Sequence, residues 1–401
     1  MTLFPRNVLD RARSLFPYLA SGRIYLNHAA TSPFSTRVAD VLSRHLQDRM
    51  TGSIDSYESD IEMVKAWRRL VQQMIHAEGP ERIAFQMNTS DAINVVASGL
   101  PWQGGDHILL NDAEFPANLH PFLHLRRHGV RIDLLPAPDG VVTPESVEDA
   151  LTPATRLVSL SAVQFLSGYR ADLQEIGALC RSRGVVFVVD GIQSVGAVPC
   201  NVQELHIDAL AAGAQKWQMS PPGTGFLYVS AELQDRIQQQ YLGWLSVASP
   251  WNFRHLDQSP APSARRYEGG TLNIAGMYAM REAVSILLEF GIDAIAEHIL
   301  GLTEILMRGL ADIPGVRMVT PFDPGHRAGI VTIQPPSGVR AEDVVAGLKA
   351  RGISIAVREG LLRFSPHFYN SDEEMTRTSD EVRRILGEVA ATHTAQAGSS
   401  S

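Results

Sequence analysis

Short β-rich runs alternate with helical stretches through the middle of this 401-residue chain. The predicted strands are residues 107–110, 131–134, 157–161, 185–189 and 209–212. Parallel strands need a crossover connection between them, and a helix is the usual one. Strands that alternate with helices therefore predict an α/β fold, in which a mostly parallel sheet is flanked by helices.

The C-terminal part of the chain has a different pattern. A long amphipathic helix is predicted from Met277 to its end at Gly291, and helices then alternate with the runs R-A-G-I-V-T-I-Q, G-I-S-I-A-V-R and L-L-R-F-S. This layout is typical of an α+β domain. We therefore expect a large domain over 20–285, a smaller α+β domain over 286–390 that is joined by residues 1–19, and a disordered tail over 391–401.

Composition narrows the class of protein. The formal net charge of −8 disfavours a nucleic acid or an anionic membrane as partner. No apolar run is long enough to span a membrane and the first residues lack the apolar core of a signal peptide, so a cytoplasmic protein is expected. Only two cysteines occur, Cys180 and Cys200, without metal-ligand or C-x-x-C spacing, and both are expected to be packing residues. No metal site is predicted.

Two residues carry the strongest chemical signal. Asp190 directly follows the apolar run 185–189, and a carboxylate at the C-terminal end of a buried parallel strand faces the crevice where such sheets bind ligands. Lys216 follows the next predicted strand and precedes the turn S-P-P-G-T-G. A lysine that forms a Schiff base, paired with an acid for a pyridinium nitrogen, is the signature of pyridoxal phosphate chemistry. A surface lysine and a strand-end aspartate are the alternative interpretation.

Two further positions are candidates for binding anions. Thr89 and Ser90 follow the short predicted strand I-A-F-Q and open a helical pattern, where hydroxyl and backbone N–H groups can bind a phosphate. An ordinary helix cap is the alternative. Arg363 ends the apolar run L-L-R-F and can bind a carboxylate through two parallel hydrogen bonds. A structural salt bridge is its alternative.

Together, these motifs resemble the class V aminotransferase group of fold-type I pyridoxal-phosphate enzymes, over about Tyr25 to Glu374. That group includes cysteine desulfurases, selenocysteine lyases, cysteine C–S lyases, isopenicillin N epimerase and kynureninase. The resemblance implies an enzyme of the fold-type I transferase fold that uses pyridoxal 5'-phosphate as cofactor and an amino acid as substrate. It also implies a homodimer whose active sites are shared between subunits.

The resemblance implies a role for each matching residue. Lys216 would be the Schiff-base lysine and Asp190 the partner of the pyridinium nitrogen. The other residues implied to contact the cofactor are Thr89 and Ser90 at the phosphate, Phe115 stacked on the ring, Gln164 and Gln193 near the phenolic oxygen, and Thr271 at the phosphate of the neighbouring subunit. Arg363 would bind the substrate carboxylate, and Asn27 and His28 lie in the N-terminal segment that lines the substrate site in relatives.

The chain also departs from the desulfurase pattern. Where desulfurases carry a loop with a persulfide-forming cysteine, it reads A-V-R-E-G-L-L-R, and Gln215 stands where their histidine precedes the lysine. Phe115 likewise replaces a stacking histidine, and His28, His120 and His367 are candidate acids in its place. The leading hypothesis is therefore β-elimination from an S-substituted cysteine. Epimerisation, transamination, decarboxylation with oxidation, or a non-catalytic binding protein of the same fold remain alternatives.

Overall fold

The computed structural model describes residues 3–52, 54–254 and 256–398, with side chains described up to residue 389. Its α-helices are α1 (Arg6–Ser14), α2 (Thr36–Thr51), α3 (Tyr57–Ile75), α4 (Thr89–Gly99), α5 (His120–Leu123), α6 (Pro144–Ala150), α7 (Leu173–Ser182), α8 (Ala231–Arg236), α9 (Ile274–Phe290), α10 (Ile292–Ala311), α11 (Ala341–Ala350) and α12 (Asp372–Gly398). Its strands are β1 (Ile24–Tyr25), β2 (Ile83–Gln86), β3 (His107–Asn111), β4 (Arg131–Leu135), β5 (Thr155–Ser161), β6 (Val186–Asp190), β7 (Ala209–Gly213), β8 (Gly225–Val229), β9 (Arg317–Met318), β10 (Val331–Gln334), β11 (Ile353–Ser354), β12 (Ala356–Arg358) and β13 (Leu361–Phe364). Among these residues, no helix is both long and apolar enough to cross a membrane.

Backbone contacts divide the chain into two units. The larger unit comprises Phe34–Gln164 and Ala171–Ile292, and the smaller unit comprises Met1–Pro33, Phe165–Arg170 and Asp293–Ser401. The smaller unit thus includes residues 20–33 and 165–170, which the sequence assigned to the large domain. Strand pairing explains the difference, because Ile24 pairs with Ile353 and Tyr169 forms a bridge with Arg327, and neither pairing has a local sequence signal.

The larger unit is built on a seven-stranded sheet with the strand order β2-β8-β7-β6-β5-β3-β4. Strand β8 runs antiparallel to both of its neighbours, and every other neighbouring pair is parallel. The predicted mostly parallel α/β sheet is confirmed. Strand β8 reverses direction because the segment 214–224 that joins it to β7 contains no crossover helix. That short connection carries Lys216.

The predicted elements agree with the structure except in two places. The sequence pattern N-L-H-P-F-L-H-L-R-R-H-G of residues 118–129 predicts one helix, but only His120–Leu123 is α-helical, with 3₁₀ turns on either side. Pro121 has no N–H to continue the preceding turn, which keeps the turns separate. The tail was expected to be disordered from 391, whereas α12 continues to Gly398, since no proline or glycine interrupts 388–397. Residues 399–401 lie outside the described part of the chain.

The smaller unit is an α+β assembly. A four-stranded antiparallel sheet has the order β12-β13-β10-β9, and β1 pairs with β11 in a separate parallel pair. Helices α10, α11 and α12 contribute Leu306, Leu348 and Val382 to the same buried core as Leu362 of β13. Apolar residues of the sheet and the helices thus share one core. Because Leu362 and Phe364 belong to this core, the backbone of Arg363 between them is held in place by their packing.

Candidate active site

Asp190 and Lys216 emerge at the same edge of the large sheet. Asp190 is the last residue of β6, where it pairs with Ser161 of β5 and Ala211 of β7. Strand β7 ends at Gly213, and Lys216 follows in a tight turn in which the Met219 N–H donates to the Lys216 carbonyl at 3.1 Å. Because β6 and β7 are parallel, both side chains leave the carboxyl ends of adjacent strands.

The Asp190 carboxylate has one oxygen that is bonded and one that is not. Oδ1 accepts a hydrogen bond from the Ile192 N–H at 2.9 Å, whereas the buried Oδ2 has no hydrogen-bond partner among the described residues. Burial raises the pKa of Asp190 to about 7; the Ile192 N–H and the Lys216 charge oppose the shift, and the Glu114 charge adds to it. A buried acceptor without a donor is costly, so Oδ2 fits a ligand N–H such as that of a pyridinium ring.

Only three lysines occur in the chain, and just one of them lies near this site. Lys65 is exposed on α3 and binds Glu62 at 2.7 Å, and Lys349 is exposed on α11. Lys216 Nζ lies 5.7 Å from the centre of the Phe115 ring, which is 42% exposed. An accessible ring face beside an amine is a suitable surface on which a flat aromatic ligand could stack.

The predicted phosphate residues begin α4. The segment begins with an ordinary helix cap, but the cap residue is Asn88, whose side chain accepts from the Asp91 N–H at 2.9 Å, and it is neither Thr89 nor Ser90. The buried Thr89 hydroxyl instead accepts from the Gly213 N–H at 3.0 Å and ties the first turn of α4 to the end of β7. Ser90 follows in the same turn, where backbone N–H groups point out of the helix and attract an anion.

Gly213 lies against the side chain of Gln215, the residue that departs from the desulfurase pattern. A side chain at Gly213 would meet Gln215 Oε1 at 2.7 Å and the Thr89 hydroxyl at 3.4 Å. The first distance is shorter than real contacts to a Cβ atom, so a side chain at position 213 would displace the end of the flexible Gln215 side chain.

Glu114 is a site residue that the sequence analysis missed. Its carboxylate is 4% exposed and accepts from Asn111 Nδ2 at 2.7 Å, the Ser161 N–H at 2.7 Å and the Ser161 hydroxyl at 2.5 Å. Gln164 Nε2 donates to it at 3.1 Å, which leaves Gln164 Oε1 buried without a partner among the described residues. The available signal was an acid shortly after a buried strand, in E-F-P-A-N. Glu114 both orients Gln164 and places negative charge near Asp190.

Gln193 is fixed by the residue that follows Lys216. The indole Nε1 of Trp217 donates to Gln193 Oε1 at 2.8 Å, and both side chains are buried. Since the amide oxygen is engaged as an acceptor, the amide nitrogen is the group with which Gln193 would meet a ligand oxygen. This orientation suits a ligand oxygen that accepts a hydrogen bond.

Arg363 lies in the smaller unit as a buried cation. Its guanidinium is 2% exposed and donates through Nη1 to the Phe165 carbonyl at 2.6 Å, while Nε has no partner among the described residues. Burial, together with a smaller effect of the Arg358 charge, lowers the pKa of Arg363 to about 10. Within the described residues no carboxylate pairs with it, so the structural salt bridge considered above is not found. A buried cation of this kind fits an anionic ligand.

Asn27 and His28 lie in the same unit as Arg363. Asn27 forms a parallel bridge with Ser365, and its side-chain oxygen is buried without a partner among the described atoms. His28 Nδ1 donates to the Ser365 carbonyl at 3.2 Å, so Nε2 accepts from the Tyr369 hydroxyl at 2.9 Å. Burial lowers the pKa of His28 well below its usual value, and the nearby His367 lowers it further. His28 is therefore neutral, with both nitrogens bonded within the protein.

The structure thus groups the predicted residues into two sets. Those of the larger unit that surround the ends of β6 and β7 are Thr89, Ser90, Phe115, Gln164, Asp190, Gln193 and Lys216. Asn27, His28 and Arg363 form a second set in the smaller unit. Thr271 belongs to the larger unit and is exposed on the loop before α9. No cluster of three or more His, Cys, Asp or Glu side chains suited to a metal occurs within the described ranges.

Comparison with known proteins agrees with this geometry. The sequence model of the family described as aminotransferase class-V matches residues 24–377. A probable cysteine desulfurase of Methanothermobacter thermautotrophicus is 29% identical over 393 residues, covering 92% of this chain and 96% of the relative. An isopenicillin N epimerase of Streptomyces clavuligerus is 31% identical over 325 residues, covering 77% of this chain and 81% of the relative. The solved structure of a cystine C-S lyase with its product cysteine persulfide has a TM-score of 0.85 at 24% identity, covering 92% of this chain and 99% of that one. The likeness confirms the predicted fold-type I fold.

Proposed function

Because the chain belongs to the class-V aminotransferase family, whose enzymes depend on pyridoxal 5'-phosphate, we propose that it cleaves the C–S bond of an S-substituted cysteine by β-elimination. Membership of the family establishes that the chain is a pyridoxal-phosphate enzyme, whereas the reaction that it catalyses is what we propose. The observation that carries it is the direct turn between β12 and β13, where desulfurases have their cysteine loop. Strand β12 ends at Arg358 and β13 begins at Leu361, with only Glu359 and Gly360 between them.

That turn has no room for a catalytic loop. Glu359 and Gly360 have φ values of 50° and 75°, the left-handed pair typical of the tightest hairpin connection. The two cysteines lie elsewhere, in the larger unit, and both are buried. Burial, with a smaller contribution from Asp208, raises the pKa of the Cys180 thiol to about 12, which disfavours a nucleophilic thiolate. A thiol that accepts sulfur from the substrate is therefore not part of the proposal.

The cofactor would be held by groups of the larger unit. Bound pyridoxal phosphate supplies an electron sink for a bond that breaks at the substrate Cα. Lys216 would form its covalent link, Asp190 Oδ2 would accept its ring N–H, and the first turn of α4 would bind its phosphate. Phe115 offers a ring face and Gln193 an amide donor to the same ligand.

The chain's own groups would then carry out the proton steps. Arg363 would bind the substrate carboxylate and so fix which bond at Cα faces the electron sink. The Lys216 amine would remove the Cα proton, and the C–S bond would break as the thiolate leaves the β-carbon. Addition of water completes the balance: one S-substituted cysteine and one water give pyruvate, ammonia and a thiol.

The products of an amino-acid panel test the proposal. Pyruvate, ammonia and a free thiol in equal amounts from S-substituted cysteines are the expected result. An aminated cofactor with a keto acid would indicate transamination instead, and an aldehyde with carbon dioxide would indicate decarboxylation. A change in configuration at Cα, without loss of sulfur, would favour the epimerase reading that the 31% identical epimerase supports.

Arg363→Lys should be a damaging change although the charge is kept. A single ammonium cannot reproduce two parallel hydrogen bonds to a carboxylate, so kcat/KM for amino-acid substrates should fall by about tenfold or more. Cofactor occupancy, read from the visible absorption band, should be retained. Arg358→Lys is the matched control because its exposed guanidinium donates to the neighbouring Val357 carbonyl. A loss in the control with none in Arg363→Lys would move the carboxylate site to Arg358.

A Cys180→Ala, Cys200→Ala double variant should retain most of its activity if no persulfide is formed. Cys180 is fully buried on α7, so some stability loss is expected from the smaller side chain. The measurement is turnover per bound cofactor in the folded double variant. Complete loss of turnover in a folded, cofactor-loaded protein would restore the desulfurase reaction as the leading hypothesis.

Thr271 would complete the site of a second subunit in a homodimer with two-fold symmetry. A Thr271→Ala chain mixed with a Lys216→Ala chain should regain activity, because one site of the heterodimer has both residues intact. Activity after subunit exchange, with mass from light scattering, is the measurement. A fully active monomer, or verified heterodimers that stay inactive, would remove Thr271 from the site.

A further inference from the structure

A cavity of about 650 Å³ opens beside Thr271 in the larger unit. Its walls come from α3, from the segment before it and from the loops 244–251 and 265–274, and they include Tyr57, Trp244, Leu245, Trp251, Thr271 and Leu272. The volume lies within the range of small-molecule sites, about 300–1,000 Å³. The functional assignments above leave this cavity unexplained.

Aromatic rings form much of the wall. The Trp251 ring meets Tyr57 at 4.8 Å and Trp244 at 5.0 Å between ring centres, both nearly perpendicular at 77°. These edge-to-face contacts hold the rings in place without filling the space in front of them. Tyr57, Trp244 and Trp251 are nevertheless 44%, 41% and 52% exposed. A preformed group of large apolar side chains with this exposure is typical of a binding surface.

Three of the charged side chains that line the cavity, those of Arg68, Arg265 and Glu268, bind other groups of the protein. Arg68 binds Glu268 at 2.5 Å, and Glu268 also accepts from the Phe85 N–H at 2.8 Å. The Arg265 guanidinium donates to the Leu245 and Val247 carbonyls. Arg49, Asp55, Asp60 and Lys65 also line the cavity, but most of the surface that it offers to a ligand is apolar. The buried Arg68–Glu268 pair also anchors the loop that leads to Thr271.

We propose that this cavity binds a large apolar or aromatic substituent on the sulfur of the substrate. The proposal rests on the function proposed above. If Thr271 contacts the cofactor phosphate of the partner subunit, the cavity beside Thr271 lies next to the partner's reaction centre. Thr271 and Leu272 line the cavity, so one loop would contact the cofactor phosphate and the substituent together. The substrate class is thereby narrowed to cysteine conjugates with bulky apolar groups.

The test compares S-benzylcysteine with S-methylcysteine on the cofactor-loaded enzyme. The kcat/KM of the benzyl conjugate should exceed that of the methyl conjugate. Trp251→Ala should lower the ratio of the two values by about tenfold, because the variant loses one aromatic contact and the apolar area that this contact buries. Phe253→Ala is the matched control: its ring contacts Trp251 but is 73% exposed and does not line the cavity. The ratio should be unchanged in the control.

A binding measurement separates this inference from the proposed reaction. Methylene analogues of the two conjugates, in which a methylene group replaces sulfur, cannot undergo C–S cleavage, and their affinities can be compared by calorimetry. Tighter binding of the benzyl analogue, lost in Trp251→Ala, would support the cavity even if no conjugate were cleaved. Cleavage without preference between conjugates, or equal effects of Trp251→Ala and Phe253→Ala, would overturn it. If the Trp251→Ala protein instead dissociated into monomers and lost kcat/KM equally for both conjugates, the cavity would be assigned to a contact between subunits.

Discussion

Replacing Lys216 with alanine is expected to abolish measurable turnover and the visible absorption band of the lysine-bound cofactor. The amine is proposed both to hold the cofactor and to remove the Cα proton, and general acid–base catalysis alone contributes about 10²–10⁴-fold to rate. The remaining lysines cannot take over, because Lys65 is exposed on α3 and paired with Glu62, and Lys349 is exposed on α11. Borohydride trapping followed by peptide mapping identifies the modified residue.

Lys65→Ala and Lys349→Ala serve as controls for this experiment. Both should retain the cofactor band, since neither residue follows β6 or β7, and Lys349→Ala should also retain the activity of the unaltered enzyme. With only three lysines in the sequence, peptide mapping has just three possible outcomes. A trapped cofactor on Lys65 or Lys349 would refute the assignment of Lys216.

Asp190→Asn is expected to slow the Cα-proton step by ~10²-fold or more, the scale of removing a preorganised charge from a reaction centre. The amide cannot keep the ring nitrogen protonated, so the electron sink is weakened. Solvent deuterium exchange at Cα of a bound amino acid measures this step directly. Asp208→Asn is a control at the other end of the same strands, where its carboxylate accepts from the Phe187 N–H. Normal exchange in Asp190→Asn would refute the role of Asp190.

The same substitution should have the opposite effect on stability. The pKa of Asp190 is raised to about 7, so the protonated form is the one that the cofactor-free fold favours. The stability contributed by that proton is fully present below pH ~4 and is lost as pH rises through about 7. At pH ~8 the cofactor-free Asp190→Asn protein should therefore have a higher free energy of unfolding than the cofactor-free parent. Chemical denaturation at pH ~8 and pH ~5 measures the difference, which should shrink at the lower pH. A parent that is more stable than the variant at pH ~8 would contradict this account.

Local patterns in the sequence determined the fold class and the two central residues. Runs such as 185–189 are apolar along their whole length, and the alternation with helices leaves a parallel sheet as the expected arrangement. Once the strand ends are known, the position of Asp190 and Lys216 at one edge follows from the direction of the strands. The order of motifs added the family and the cofactor, both of which the comparisons support.

Hydrogen bonds between distant residues were decided by the tertiary structure. Glu114 accepts from Ser161 and Gln164, about 50 residues along the chain, and no periodicity in the sequence reports such a contact. Whether a buried polar atom has a partner is likewise a property of the packed structure. The sequence left Arg363 open as a salt bridge or a ligand site, and only the packing around it left its Nε without a partner within the described residues.

The division into units was decided in the same way. Residues 24–25 were assigned to the large domain by their position, but they pair with β11 near the other end of the chain. Strand pairing depends on which backbone edges meet after folding, whereas the sequence pattern of a two-residue strand carries almost no signal. The sequence thus determined the chemistry that each strand end could offer. The tertiary structure determined which buried groups found partners within the protein and which, like Asp190 Oδ2, remained to receive one from a ligand.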